Sequence, residues 1–445
     1  MRQIIDNLIR SKAPLMVVLR YVLLALVVLM GVARLRIILI LLFSPETYHE
    51  RDILTEYLMA KALISGVNPY LPLDELAQMF VGKFSFFTHP APYPPFVAIM
   101  SIPLLWFRNN QTFIVWFIFE LVCLAALACM LTVLWKDRLD WVWAIIIIFL
   151  LLAWYLVMVE IFFGQLSILL SALLMAALLA LRKDNRILAG VLIGLSVAIK
   201  MITWPLLIYF ALKKDWRTLL ASSFTAIGLN LVALVGMGID PFMDYYLRVT
   251  TQMVVFYQGV ISNISLWSIG FRLFEGDKPT SLDKYFNAPP LINLPGIAPF
   301  FSAGLTATFL IAGLLWATKL KDLDIAFSVL VCIIIAVSPI SWNHYYVMII
   351  IGLAVMWLTL SKHSFPAYKT LIFLIISLMF FLGNNQIDDI IFLLNGGKDL
   401  LRAHEYQITF TSSLLICLPL VELLGLTLLL LNTGSTKNEL EIKKG

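Results

Sequence analysis

Two acidic side chains one helical turn apart stand out in an otherwise apolar chain. Asp52 and Glu56 lie in the polar segment HERDILTEYLMAKALISGVNPY, which follows the first long apolar run. A carboxylate beside a substrate hydroxyl can take its proton as a general base. The alternative is the solvated acidic face of a loop helix, which needs no chemistry. The charge pattern leaves both interpretations open.

A second candidate is Lys200, which interrupts the apolar stretch AIKMITWP. An ammonium at membrane depth needs an anionic partner. A lipid phosphate is one such partner, and an ion pair with Glu160 or Glu120 is the alternative. Gln165 lies in FFGQ, at a break between two apolar runs just after Glu160.

Two aromatic-rich motifs carry further polar groups. His344 lies in SPISWNHYY two residues after Trp342, where one apolar run ends and the next begins. It could hydrogen-bond a phosphate or a sugar, but Trp and Tyr at such a boundary also form an interfacial belt. Asn263 and Arg272 lie in ISNISLWSIGFR. The guanidinium fork of an arginine matches phosphate oxygens, and snorkelling to lipid headgroups is the alternative.

Several kinds of chemistry have no matching motif. The chain has no Gly-rich phosphate loop and no HExxH, and the DxD-like Asp322-Leu323-Asp324 lies in a tiny basic loop. The net charge of +5 comes from basic residues spread over short loops, with no basic and aromatic surface for nucleic acid. No segment can hold a nucleotide, so a donor must reach the site from the membrane.

Composition places these residues in a membrane protein. The 445 residues are 61% hydrophobic and 13% charged, about half the charge of a soluble domain. We therefore predict an all-α polytopic membrane protein with about 11 to 13 membrane helices. The predicted spans cover about 14–43, 93–107, 112–135, 141–160, 165–181, 218–236, 295–318, 325–338, 345–361, 367–383 and 408–432. Basic residues before the first span predict a cytoplasmic N-terminus.

The candidate residues are then positioned by loops and broken helices. We predict a single membrane domain over residues 1–432, with outer loops at 44–92, 238–294 and 384–407. Residues 52–65 are predicted to form a helix that lies flat on the membrane surface. Residues 187–212 are predicted to form two half-helices that meet near Lys200. The tail, 433–445, is predicted to be cytoplasmic and disordered.

Taken in order, several motifs resemble one family. They are GVNPY at 66–70, YPP at 93–95, GQ at 164–165, AG with K-x-x-x-P over 189–205, N-x-S-L with a following arginine at 263–272, and SPISW-x-H at 338–344. This order resembles glycosyltransferase family 87, over roughly residues 45–360. Each motif alone has low specificity, and the ordered set is more specific.

The resemblance implies a GT-C fold with its site on the extracytoplasmic side of the cell membrane. It implies transfer of a hexose, mannose in the family's best-known members, from a polyprenyl-phosphate donor to a glycolipid or cell-envelope glycan acceptor. Asp52 would be the catalytic base, and no cofactor or metal would be required. The implied substrate-binding residues are His344, Lys200, Arg272, Gln165, Asn263, Tyr93, Glu56 and Trp342.

Two other classes of protein share some of these features. A transporter or flippase of lipid-linked saccharides would also have many spans, a broken helix and intramembrane charge. It would predict pseudo-repeated halves, and the sequence shows no such repeat. A membrane scaffold would have no need for Lys200 or Glu160 at depth.

Overall fold

The computed structural model of the protein describes residues 21–22, 24–40, 43, 51–82, 87–278, 286–362, 365–382 and 384–442. The regular elements of these residues are helices, with no strand among them. In chain order they are α1 (24–40), α2 (Ile53–Ile64), α3 (Leu73–Val81), α4 (Pro95–Met100), α5 (Asn109–Lys136), α6 (Trp141–Ala153), α7 (Tyr155–Phe163), α8 (Ser167–Arg182), α9 (Arg186–Ile199), α10 (Pro205–Leu212), α11 (Trp216–Met237), α12 (Ile239–Asp244), α13 (Thr250–Tyr257), α14 (Leu266–Phe274), α15 (Ala298–Lys319), α16 (Leu323–Val337), α17 (Ile350–Lys362), α18 (Ala367–Leu382), α19 (Asn384–Leu394), α20 (Lys398–Ala403), α21 (Phe410–Ile416) and α22 (Leu418–Ile442).

The lengths and compositions of these helices confirm an all-α polytopic membrane protein. Within the described part of the chain, five helices are long and apolar enough to cross a bilayer, or six if the bent pair α6–α7 counts as one span. Six shorter apolar helices accompany them. The ends of the predicted first span, and residues 44–50, 83–86 and 279–285 of the predicted loops, lie outside the described residues.

The position of helix α2 differs from the predicted one on the membrane surface. The helix forms where it was expected, but it does not lie on a membrane surface. Both of its faces are buried, and it packs against α3, α4 and α5. Its side chains are mostly apolar all round, so burial inside the protein removes more apolar surface from water than one-sided contact would.

Three predicted spans are shorter or broken. The segment predicted at 93–107 has only the short helices Pro95–Met100 and Ile102–Trp106, too few residues to cross about 30 Å. The span predicted at 141–160 bends by 75° between α6 and α7. There Trp154 is extended, and its indole N–H donates a hydrogen bond to the Phe380 carbonyl at 2.8 Å. The span predicted at 408–432 breaks at Cys417.

The predicted broken helix around Lys200 is confirmed. Helix α9 ends at Ile199, Lys200 is extended, and a short helical turn leads into α10, which begins with Pro205. Helix α9 packs closely on α11 because Gly190 and Gly194 face it without a side chain. Small residues at such contacts let two membrane helices approach each other.

Polar contacts gather the basic turns at one end of the molecule. Arg186 at the start of α9 pairs with Asp215 before α11 at 3.0 Å, so α9 and α10 form a hairpin whose two outer ends meet. Arg182 at the end of α8 pairs with Asp324 at the start of α16 at 2.6 Å. The opposite ends of these helices therefore meet at the other end of the molecule, where Lys200 lies.

The C-terminal tail departs from its prediction. Helix α22 continues through residues 433–442, so this part of the tail is helical. Thr433 is buried and Gly434 packs against Leu320 and Ile325, and this packing extends the helix beyond the membrane-length segment.

Candidate active site

One large cavity brings most of the candidate residues together. Its volume is about 1070 Å³, at the upper end of what ligand sites usually offer. Seven of the sequence-predicted residues or their neighbours in the motifs line it: Asp52, Tyr93, Gln165, Lys200, Trp342, Asn343 and His344. The cavity lies at the end of the molecule opposite the basic turns.

Asp52 lies at the start of α2 and is held from α7–α8. Gln165 donates a hydrogen bond from Nε2 to Asp52 Oδ2, and Tyr93 donates to Gln165 Oε1 at 3.2 Å. The turn before Gln165 requires Gly164, which has a φ of +69° and would place a Cβ 2.9 Å from Ile53. The GQ motif therefore serves to bring an amide against the carboxylate.

The two acidic residues differ in their surroundings. Burial raises the pKa of Asp52 to about 6, while the Gln165 hydrogen bond and the Lys200 ammonium oppose that rise. Asp52 is half-buried and faces the cavity, so its carboxylate can accept a proton from a ligand near neutral pH. Glu56 is fully buried behind the cavity wall, and burial raises its pKa well above the usual value. Glu56 is not among the residues that line the cavity, so the structure shows no direct route from it to a substrate, and its predicted role in substrate binding stays a prediction.

Lys200 is a buried cation at the tip of the α9–α10 hairpin. Only 6% of the residue is exposed, and its Nζ makes no hydrogen bond within the described residues. The ammonium lies over the Tyr345 ring, 3.7 Å from the centroid, and 5.9 Å from that of Tyr93. An ammonium held only by ring faces can still accept an anion.

Glu160, which the sequence suggested as an ion-pair partner for Lys200, has other partners in the structure. Glu160 accepts hydrogen bonds from the backbone N–H groups of Ser167 and Ile168 and so caps the first turn of α8. Glu120 is buried in α5 and does not line the cavity. No ion pair joins Lys200 to either carboxylate in the described structure, although the negative charges of Glu160, Glu56 and Asp52 act on it. Its Nζ makes no hydrogen bond within the described residues, so it can still donate to an anionic ligand.

The SPISWNHYY motif supplies a further part of the cavity wall. His344 and Trp342 both line the cavity, and His344 Nε2 has no hydrogen-bond partner among the described residues. Burial leaves only 6% of His344 exposed. One ring nitrogen is thus available to a substrate oxygen.

Two predicted substrate-binding residues have structural partners instead. Arg272 pairs with Asp277 at 2.7 Å, and donates to Ser413 and to the carbonyls of Ile261 and Asn263. The Asn263 side chain joins its own loop to the Pro339 carbonyl and the Ser341 N–H. Neither residue lines the cavity, so the structure does not bring them to the other candidates, and their predicted roles stay predictions. Their hydrogen bonds hold the loops after α13 and α16 together, next to the cavity-lining residues Ile261 and Pro339.

Other cavity residues were not singled out from the sequence. Tyr345 holds the Lys200 ammonium, and its place directly after His344 was the only available signal. His89 and Tyr257 also line the cavity and hydrogen-bond each other at 2.5 Å. His89 lies just before the YPP motif, in HPAPYPPF, and the prolines of this segment are typical of an architectural role, so nothing in the sequence alone assigns chemistry to the histidine. His89 and Tyr257 are 168 residues apart in the chain, so the sequence could not predict that they pair.

The cavity has two chemically different rims. The first rim consists of the exposed apolar lining residues Met201, Trp204 and Phe256, which are 41%, 42% and 47% exposed. The second consists of the exposed basic lining residues Lys398 and Arg402 of α20. An amphipathic molecule could therefore contact the cavity with its apolar part on the first rim, and a polar one could approach over the second.

The comparisons with known proteins agree with the motif order. The family model described as glycosyltransferase family 87 matches residues 92–339, more than half of the chain. The match includes Gln165 and Lys200, begins after Asp52 and ends before His344. A search of curated proteins finds no match. The protein belongs to glycosyltransferase family 87 and is a multi-pass membrane glycosyltransferase.

Proposed function

We propose that the protein transfers a hexose from a polyprenyl-phosphate donor to a hydroxyl of a lipid-linked or cell-envelope glycan on the extracytoplasmic face. The observation that carries this proposal is that one cavity contains both a carboxylate and a buried ammonium. Asp52 offers a carboxylate poised as a base, and Lys200 offers a buried ammonium without a hydrogen-bond partner. Sugar transfer from a phosphate needs both groups.

The reaction follows from those two groups. Asp52 takes the proton of the acceptor hydroxyl, whose oxygen forms a bond to the anomeric carbon of the donor sugar. The bond from that carbon to the phosphate oxygen breaks, and its electron pair leaves with the lipid phosphate. Attack from the face opposite the phosphate inverts the configuration at the anomeric carbon. The products are the glycosylated acceptor, the lipid monophosphate and protonated Asp52.

Lys200 and His344 would stabilise the leaving phosphate. A hydrogen-bond donor that is already in place for the leaving group typically stabilises the transition state by about 2.7–4 kcal/mol. The leaving group is already anionic, so we expect neither a strong acid nor a metal ion to be needed. Activity in a metal chelator would then match activity without it.

The apolar rim supports a lipid-bound donor. Met201, Trp204 and Phe256 expose their side chains beside the cavity that holds Lys200. A polyprenyl chain could lie against them in the bilayer while its phosphate reaches the ammonium. The acceptor would approach over the rim that carries Lys398 and Arg402. Mannose as the sugar is an inference from the best-known members of the family.

The distribution of charge supports the extracytoplasmic face. The basic turns after α8, α10 and α15 share one end of the molecule, and the cavity lies at the other. Cytoplasmic loops of membrane proteins carry an excess of Lys and Arg. The basic end would thus be cytoplasmic and the cavity outside.

A transfer assay tests the proposal. The purified protein, reconstituted in liposomes with a membrane-lipid extract, would receive radiolabelled polyprenyl-phosphate mannose, polyprenyl-phosphate glucose or GDP-mannose. We expect label to move to a glycolipid from a polyprenyl-phosphate sugar and not from the nucleotide sugar. Transfer from GDP-mannose, or from none of the three, would overturn the donor class.

A further inference from the structure

A hydrogen-bonded pair that the proposed reaction does not use forms part of the cavity wall. His89 lies in the loop between α3 and α4, and Tyr257 is the last residue of α13. Both line the same cavity as Asp52 and Trp342. The Tyr257 hydroxyl and His89 Nε2 are 2.5 Å apart. The pair therefore joins two distant segments of the chain at the site itself.

The second nitrogen of His89 decides which atom donates in this pair. His89 Nδ1 lies 2.8 Å from the Pro90 carbonyl oxygen, which can only accept, so Nδ1 carries the proton. Burial lowers the pKa of His89, so the ring is neutral and Nε2 has a lone pair. The Tyr257 hydroxyl must then donate its single proton to Nε2. Its oxygen keeps only acceptor capacity for any other partner.

The surroundings hold Tyr257 rigidly. Its ring meets Trp342 edge-on with 5.1 Å between the centroids, and the His89 ring lies against Phe87 and Phe256 at 5.4 and 5.5 Å. The Tyr257 carbonyl accepts a hydrogen bond from the Asn263 amide at 3.2 Å. Burial, and then the charge of Asp52, raise the pKa of Tyr257, which places its hydroxyl within electrostatic reach of the proposed base.

We propose that Tyr257 is a specificity-determining residue whose hydroxyl, held by His89 as an obligate acceptor toward the cavity, receives a hydrogen bond from one hydroxyl of the transferred sugar. This inference rests on the proposed function. Trp342 would offer its exposed face to the same sugar ring. His89 is a positioning residue, because it acts on the substrate only through Tyr257.

The test combines variants of the protein with variants of the donor. A short-chain, water-soluble polyprenyl-phosphate mannose and its monodeoxy analogues at each free hydroxyl would be assayed with wild-type protein and Tyr257→Phe. We expect Tyr257→Phe to lower kcat/KM for the parent donor by roughly tenfold to a hundredfold. For one deoxy analogue the same variant should cause no further loss, because the hydrogen bond is already gone. Equal losses with every analogue would overturn the proposal.

Two substitutions at His89 separate hydrogen-bond control from packing. His89→Phe keeps a ring among its aromatic neighbours but removes the acceptor, so Tyr257 can turn its proton toward the cavity. His89→Gln keeps an acceptor oxygen. We expect the penalty for the critical deoxy analogue to shrink several-fold in His89→Phe, mainly in KM, and to persist in His89→Gln. An unchanged penalty in both variants would refute the role of His89.

Binding without turnover distinguishes this inference from the proposed reaction. Calorimetric titration of the Asp52→Asn protein with the same donors repeats the comparison in the absence of catalysis. Selective binding without any transfer by the wild-type protein would remove the proposed reaction and leave the sugar site. Transfer by the wild-type protein, with equal losses for every deoxy donor in Tyr257→Phe, would keep the proposed reaction and remove the sugar site.

Discussion

Asp52 and Glu56 show how position within one helix turn separates a candidate catalytic group from a structural one. Both belong to the α2 segment and both are shielded from bulk water. Asp52 meets the cavity and Gln165, which stabilises its charged form, whereas Glu56 has no hydrogen-bond partner for either oxygen in the described structure. An acid buried without partners is favoured in its neutral form.

Neutral isosteres of these two acids should therefore behave differently. We expect Asp52→Asn to lower the transfer rate by about 10²- to 10⁴-fold, the usual contribution of a general base. Glu56→Gln replaces a protonated acid by an amide of the same shape, and we expect it to stay within about threefold of the wild-type rate. Initial rates of sugar transfer at pH 7.5 measure both. Near wild-type transfer by Asp52→Asn would show that another group is the base.

The pH profile should report the ionisation of Asp52. Its pKa is raised to about 6, and only the ionised form can accept a proton, so kcat/KM should rise with pH and reach half its plateau near pH 6. Gln165→Leu removes the hydrogen bond that lowers this pKa, and the acid limb should move to higher pH. Rates measured between pH 4.5 and 8.5 test this. An acid limb that stays in place in Gln165→Leu would contradict the assignment.

The two buried cations should respond differently when each is replaced by methionine. Arg272 is paired with Asp277, so Arg272→Met leaves a buried carboxylate with the Ser413 hydroxyl but without its counter-charge and should cost about 3–5 kcal/mol of stability. Lys200 makes no ion pair or hydrogen bond in the described structure, so Lys200→Met removes only its longer-range attraction to Asp52 and Glu160 and should lower the thermal unfolding temperature less than Arg272→Met. Transfer should fall about 10²- to 10³-fold. Thermal unfolding in detergent and transfer assays measure both. A strongly destabilised Lys200→Met protein would indicate a structural ion instead.

Among the helices, the α9–α10 hairpin has the greatest consequence for the site. It carries Lys200 to the cavity from the basic end, and it can do so only where α9 fits closely against α11. A Cβ at Gly194 would lie 2.3 Å from the Ser222 carbonyl oxygen. The position of the ammonium thus depends on a helix contact that admits no side chain.

Two glycine substitutions test that contact. Gly194→Ala should separate α9 from α11, lower the unfolding temperature and reduce transfer by displacing Lys200. Gly228→Ala, on α11, meets nothing within 4 Å and removes a flexible residue from a helix, so stability should be unchanged or slightly higher. Both are measured by thermal unfolding and transfer rate. Equal stability of the two variants would show that α9 and α11 are not tightly packed.

The molecule as a whole has a charged end and a cavity end. The hairpin, α8 and α16 all run between them, with ion pairs at the charged end and candidate catalytic residues at the other. This polarity connects the positive-inside rule to the proposed side of the reaction.

Single cysteines can report that polarity. Arg402→Cys lies on the exposed rim of the cavity and Arg217→Cys lies at the exposed basic end. In intact cells a membrane-impermeant maleimide should label Arg402→Cys and spare Arg217→Cys until the membrane is permeabilised. The wild-type protein gives the background: Cys123, Cys332 and Cys417 are buried, and Cys129 is partly exposed. The reverse labelling pattern would place the cavity in the cytoplasm.

Local properties of the chain were enough to predict its class. Long apolar runs, the basic clusters on both sides of 187–212 and the break at Lys200 follow from the demands that a bilayer makes on each segment separately. The helix after Asp52 was predicted within a residue or two, because Gly66 and Pro69 end it locally.

Only the tertiary structure decided which polar groups share a cavity. Helices that are apolar on every side do not reveal how they are rotated, so Glu56 and Arg272 could not be told from Asp52 and Lys200 by sequence. The Trp154 break carries no proline or glycine, and the His89–Tyr257 pair joins residues far apart in the chain. Such contacts depend on packing between segments, whereas insertion into a membrane depends on each segment alone.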